Sequence, residues 1–166
     1  QVAGGAFQQG LTPLSMMAAP SFNDAFVREG FALAPLFTSG SMYLMAFVAP
    51  YEAETAGHAT MRATFTAMGI DSANTFLVAG WASQHHLKGV LEAANKGGDL
   101  TRAGIRRAAG SVYVDSDGMM PQRELGQNRA DAESFIAVPD GTIGSGVKLL
   151  AGNYVCLLYT SDAADE

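Results

Sequence analysis

Apolar residues recur at steps of three and four through residues 75–96, TFLVAGWASQHHLKGVLEAANK, the longest stretch of the chain with an unambiguous period. Phe76, Ala79, Gly80, Ser83, Leu87, Val90, Leu91 and Ala94 fall on one stripe, and Gln84, His85, Lys88, Glu92 and Asn95 fall mostly elsewhere. The spacing predicts a long helix with one packed face. Gly97 and Gly98 supply the left-handed stop that closes the last carbonyls. A second helix, 101–110, follows at once with Thr101 as N-cap and Leu100 and Ile105 at the positions of a hydrophobic staple.

Elsewhere the pattern alternates between strand and helix. Val2 to Gly10 reads as the tail of a helix stopped by Gly10, and Leu11 to Ala18, LTPLSMMA, as a buried strand. APSFND follows, rich in N-cap residues, and predicts a helix of about three turns from Asp24 to Phe37. Ser41 to Val48 is apolar on both alternating faces, as a strand covered from both sides of a parallel sheet would be. Residues 49–55 are polar and interrupted by proline. Residues 57–69 read as a helix with Met61, Phe65 and Met68 inward and Gly69 at its end, and 71–74 as a joint. Ser111 to Arg129 lacks a regular pattern. Glu133 to Val138 is a strand, Pro139-Asp140-Gly141 a turn with Gly in the strained position, and Val147 to Val155 the return strand. Strand, helix, strand, helix is the α/β arrangement.

The joint GDLTRAGIRRAA, the LEAA and Gly-Trp of the long helix and the later DSDGMMP together resemble the extracytoplasmic solute-binding proteins of branched-chain amino acid ABC transporters. The resemblance runs from about Gly10 to Asp140 and covers the last part of such a protein. It implies a type I periplasmic-binding-protein fold, α/β and incomplete, with parts of two Rossmann-like lobes whose cores are parallel sheets. Residues 1–48 would belong to the C-terminal lobe, 49–130 to the C-terminal part of the first lobe beyond a crossover, and 131–155 to a returning strand pair.

Composition changes this picture at one end. Cys156 to Glu166, CLLYTSDAADE, resembles the translation of a transposon-type sequencing adapter and is set aside as an artefact. The single cysteine goes with it, and so does thiol chemistry. Without Asp162, Asp165 and Glu166, 13 acidic residues face 10 basic ones, so the formal charge moves from -6 to -3. A weakly acidic surface argues against nucleic acid as a partner. Gln1 is not an initiator and no signal peptide is visible near it, which is uninformative about secretion.

Candidate chemistry is sparse. His85 and His86 are adjacent on a helix and point about 100° apart, and His58 is distant, so surface or half-buried histidines are expected in place of a metal site. No Gly-x-Ser-x-Gly elbow occurs. Asp115-Ser116-Asp117-Gly118 shares part of a calcium loop, but Glu124 falls outside that loop's spacing and a surface turn is expected. Gly4-Gly5 and Gly141 to Gly146 lack the phosphate-cradle spacing.

APSFND has the best physical case for ligand contact, because it leaves the carboxyl end of a strand and opens a helix. Ser21, Phe22, Asn23 and Asp24 are therefore candidate ligand-binding residues, against the alternative that Ser21 or Asn23 only caps the helix. The resemblance places a ligand-holding glutamate of the family at Ser21, with Asp24 as a substitute carboxylate. It also matches Phe76 to an aromatic that lines the ligand side-chain pocket, Trp81 to a tyrosine one turn on, and Tyr51 to the crossover, each against a packing alternative.

The function implied is non-enzymatic and cofactor-free: capture of a small ligand, a branched-chain amino acid, an amide or a related small carboxylate, between two lobes, and delivery to the permease subunits of an ABC transporter. The setting would be extracytoplasmic, with a lipid anchor one option. Two alternatives stay open, a ligand-sensing regulator of the same fold and an α/β enzyme whose catalytic residues lie upstream.

Overall fold

In the computed structural model, residues 2–121, 123–124 and 131–157 are described. Strands β1 (Ser15–Ala18) and β2 (Met42–Ala46) pair in parallel, with Ser15 opposite Met42 and Ala18 opposite Met45. β5 (Asp131–Pro139) then joins β2 antiparallel, and β6 (Val147–Leu157) joins β5 antiparallel, giving one sheet in the order β1-β2-β5-β6. The expected α/β class holds, with one parallel pair in a mixed sheet.

β2 alternates, contrary to the reading of a strand covered on both sides. Met42, Leu44 and Ala46 are buried, while Met45 is 41% exposed. The buried face packs on Phe22, Val27, Leu36 and Phe37, with Ala137 and Val147 from the hairpin. Cover from this one side is enough to select every second residue.

The three-turn helix expected over 24–37 is replaced by a 3-10 turn (Asp24–Val27) and a short α2 (Ala34–Phe37). Two features break it. Arg28 is extended, its guanidinium drawn to carbonyls of the β5–β6 tip, and Gly30 adopts φ 89. The released segment closes as an aromatic cluster, with Phe26 5.2 Å from Phe31 and 5.1 Å from Phe37.

The chain preceding β1 is helix α1 (Val2–Gln8), which contains Gly4 and Gly5 and ends through Gly10 at φ 79. Beyond β2 the chain builds a helical unit from α3 (Ala56–Ala67), α4 (Thr75–Lys96) and α5 (Arg102–Ala109), with a small ladder of β3 (Tyr113–Val114) and β4 (Arg123–Glu124). The predicted stops hold. Gly69 and Gly98 take φ 75 and 70, and the amides after them, Ile70 and Asp99, bond back to Phe65 and Ala94. Met68, expected inward, is 67% exposed because α3 has already ended at Ala67.

The packed face of α4 keeps Val90 and Ala94 of the predicted stripe but departs from it elsewhere. Val78, Ala82, Val90 and Ala94 are buried, whereas Phe76, Leu87 and Leu91 are exposed. Close approach decides it: a Cβ on Gly89 would lie 3.1 Å from Val114, so the small residues face inward and the large ones remain outside. Thr101 caps α5 as expected, but Leu100 is 56% exposed and the staple gives way to Asp99, which accepts from Thr101 and Arg107.

Two features at the far end differ from expectation. Gly141 is not left-handed; a Cβ there would lie 2.7 Å from the Val27 carbonyl, so glycine serves close approach, while Gly146 takes φ 77. β6 continues through Cys156 and Leu157, paired with Ala132 and Asp131, two residues into the stretch set aside as a tail. Tyr154 and Val155 favour strand, and neither Gly nor Pro follows them to end the ladder. Residues 158–166 of that tail, and 122 and 125–129 of the irregular stretch, lie outside the described residues.

Candidate functional site

At the carboxyl end of β1 the chain turns through Ala19–Ser21, a 3-10 turn with Pro20 near its start. This turn runs close beside both β2 and α4, so it sits where the sheet meets the helical unit. In open α/β sheets that end of the strands is where ligands enter. Ser21 is exposed, and among the described residues nothing bonds its hydroxyl.

The neighbouring candidates have other work. Phe22 is 3% exposed, edge-on to Phe26 at 6.0 Å within the sheet's core. Asn23 is the cap of the next turn, its Oδ1 accepting from Ala25 N at 2.9 Å. Asp24 lies 3.6 Å from Arg28, whose guanidinium donates to the carbonyls of Gly141, Ile143 and Gly144. The Asp24 carboxylate therefore faces the β5–β6 tip.

Of the aromatic candidates, Tyr51 is 7% exposed in the core of the helical unit. Trp81 packs edge-on to Phe65 at 5.6 Å and borders a surface cavity of about 680 Å³ with His85, Lys88, Asp115 and Asp117. Phe76 is 54% exposed in the first turn of α4, a turn fixed by Asn74, which caps Leu77 N at 3.1 Å. The structure thus leaves Ser21 and Phe76 open to solvent on the two elements that meet, and it commits Phe22, Asn23, Asp24 and Tyr51 to packing, capping or ion pairing. A second cavity, about 810 Å³, lies among α1, β1 and α2.

The junction holds polar residues that sequence reasoning missed. His58, expected at or near the surface, is fully buried. Its Nε2 lies 3.2 Å from the Ala49 carbonyl, which can only accept, so Nε2 carries the proton; Nδ1 accepts from the Thr55 hydroxyl at 2.8 Å. Burial holds its pKa below the ordinary value, opposed by the bond to Ala49. The Ala49 amide donates to Met119 O at 2.9 Å, so both backbone groups of Ala49 are held. Arg62 donates to the carbonyls of Tyr51 and Ala53, each at 2.9 Å. Glu52, between them, accepts from Ser145 N at 3.1 Å and Ser145 Oγ at 2.5 Å. One local signal existed: Thr55 three residues before His58 has capping-box spacing, and Thr55 does cap α3.

The Asp115 to Gly118 stretch forms the expected surface turn, with Asp115 Oδ1 accepting from Asp117 N at 2.8 Å. Thr101 and then Arg107 hold Asp99 below the usual carboxylate range, and Thr142 does the same for Asp140. Both sites are structural turns. Among the described residues no three His, Cys, Asp or Glu stand together as a metal's ligands would.

Neither a protein-family profile nor a curated protein sequence matches the chain. A solved structure similar to it is the fatty acid ABC transporter substrate-binding protein from Thermomonospora curvata, with a TM-score of 0.76 at 19% identity over 99% of this chain and 41% of that one. The chain therefore spans 41% of the length of the protein it matches. It has the mixed α/β architecture of part of a periplasmic-binding-protein fold.

Proposed function

We propose that this chain belongs to the extracytoplasmic solute-binding component of an ABC transporter, which captures a small ligand between two units and presents it to membrane permease subunits. The observation that carries the reading is the close approach of the Ala19–Ser21 turn, at the carboxyl end of a parallel strand, to helix α4 of the other unit. A ligand held there touches both units and favours their approach, which is the physical basis of capture by closure. The likeness of fold supports the same reading.

Within that reading the ligand is a branched-chain amino acid, an amide or a related small carboxylate, and the residues argue for the last two. The ammonium group of an α-amino acid is best matched by an anionic partner. Ser21 stands where the resemblance implies a glutamate, Asp24 is paired with Arg28, and Glu52 is occupied by Ser145. A hydroxyl such as that of Ser21 serves a carbonyl or carboxylate oxygen, and the exposed ring of Phe76 serves an apolar body. The neighbour's fatty acid is one such carboxylate, so chain length belongs in the test.

Thermal-shift measurements on the intact protein, with leucine, isoleucine and valine, their amides, and straight and branched carboxylates of increasing length, test this directly. A ligand at a hundred times its Kd adds about 2.7 kcal/mol of stability. Carboxylates or amides should shift the melt and Ser21→Ala should weaken them. A shift by free amino acids alone would overturn the ligand assignment, and turnover of any substrate would overturn the binding-protein reading.

A further inference from the structure

The crossover between the two units is gripped from both sides at one residue. Arg62, on α3, donates to the carbonyls immediately before and after Glu52, so the backbone there moves with the helical unit. The Glu52 side chain reaches the other way. Its two oxygens take the amide and the hydroxyl of Ser145, a buried residue at the tip of the β5–β6 hairpin. Arg28 binds three carbonyls of the same tip from the sheet's own side. The tip also approaches the α3–α4 joint: a Cβ on Gly144 would lie 2.7 Å from Ser72 Oγ and 3.7 Å from Glu52 Oε1.

We propose that Glu52 and Ser145 form a clasp that sets the angle between the sheet unit and the helical unit, making Glu52 a positioning residue for ligand capture. A carboxylate accepting two hydrogen bonds is directional, and rotation of α3 away from the hairpin stretches both at once. The clasp holds the arrangement in which the Ala19–Ser21 turn lies against α4, so it favours the approach of the two walls. Its consequence for capture rests on the function proposed above, but its geometry does not.

The test uses hydrogen–deuterium exchange on the intact protein without ligand, followed by dissociation kinetics with whichever probe of the thermal-shift panel binds. Glu52→Ala removes both bonds and is expected to raise exchange at least about tenfold both in 140–147 and in 47–55, and to speed ligand release at least about tenfold, the effect of losing even one charge-assisted bond. Ser145→Ala, which keeps the amide donor, should do the same to a smaller degree. Glu54→Ala should leave both nearly unchanged, since among the described residues Glu54 pairs with Arg62 alone, at 3.4 Å, and its side chain is 89% exposed. Glu52→Gln keeps one acceptor oxygen and should restore most of the protection.

Faster exchange at the hairpin tip with 47–55 unchanged overturns the clasp. Coupled exchange with an unaltered release rate overturns its role in capture. If no compound on the panel binds, the ligand reading falls and the exchange data alone decide the clasp.

Discussion

Replacing Gly57 by alanine tests how firmly the crossover is joined to α3. Gly57 is the second residue of that helix, where an alanine is worth about 1 kcal/mol over glycine on propensity alone. The structure opposes it. A Cβ would lie 2.8 Å from Met119 Sδ and 2.9 Å from the Ser116 carbonyl, and nearer still to Met119 Cγ. Met119 is fully buried, and Ser116 is fixed by bonds between its hydroxyl and the amide and carbonyl of Met120. Neither neighbour has room to yield. Overpacking of this kind costs about 1–3 kcal/mol. Gly80 on α4 is the matched control, because nothing lies within 4 Å of its Cβ position, so Gly80→Ala should stabilise by about 1 kcal/mol. Both variants gain the same propensity term, so Gly57→Ala should come out between neutral and about 2 kcal/mol destabilised, and the two stabilities read from urea midpoints should differ by about 1–3 kcal/mol. In a thermal melt each kcal/mol is worth about 2–4 °C for a chain of this size. A Gly57→Ala variant as stable as Gly80→Ala would refute the close-packed joint.

Leu44 is fully buried at the centre of the sheet, so Leu44→Ala should lower unfolding stability by about 2–5 kcal/mol, read from the urea midpoint. Asn74→Ala should cost about 1 kcal/mol by removing the cap of α4, with Asn74→Asp retaining most of it, as judged by thermal melting. His58 has a folded-state pKa depressed mainly by burial, so the unfolded chain binds its proton more readily. Its contribution is complete above about pH 6.5 and is lost as the pH falls from there toward the folded value, by up to about 1.4 kcal/mol per pH unit. Urea titrations between pH 7 and pH 5 should show that slope, and His58→Gln should flatten it; a slope unchanged by the substitution would exclude His58 as its source.

Local signals were legible from the chain itself. Gly10, Gly69 and Gly98 close their helices because left-handed backbone favours glycine, and Thr101 caps because its hydroxyl can accept a backbone amide, neither of which depends on the rest of the fold. The face of α4 was legible only toward its end, where Val90 and Ala94 are buried as the stripe placed them. Phe76, Leu87 and Leu91 are as hydrophobic as Val78 and Val90, and which side turns inward depends on how near Val114 comes to Gly89. The break of the predicted 24–37 helix likewise arises from carbonyls more than a hundred residues away that hold Arg28. For the candidate site, Ser21 and Phe76 follow from strand-end position and resemblance, while Glu52 and Ser145 are joined across 93 positions with no local pattern to mark them.

The strand order has a bearing on how the protein is made. β2 pairs with β1 within some thirty residues of chain, but its other edge waits for β5, about ninety residues further on. At roughly 5–20 residues per second, synthesis leaves that edge and the apolar face around Leu44 unpaired for about 5–20 s while all three helices of the inserted unit emerge. Those helices rest on local contacts and can form before the sheet is complete. A nascent chain halted before Asp131 would therefore present an open, apolar strand edge, so the sheet unit is most vulnerable to misassociation when the helical unit has already folded.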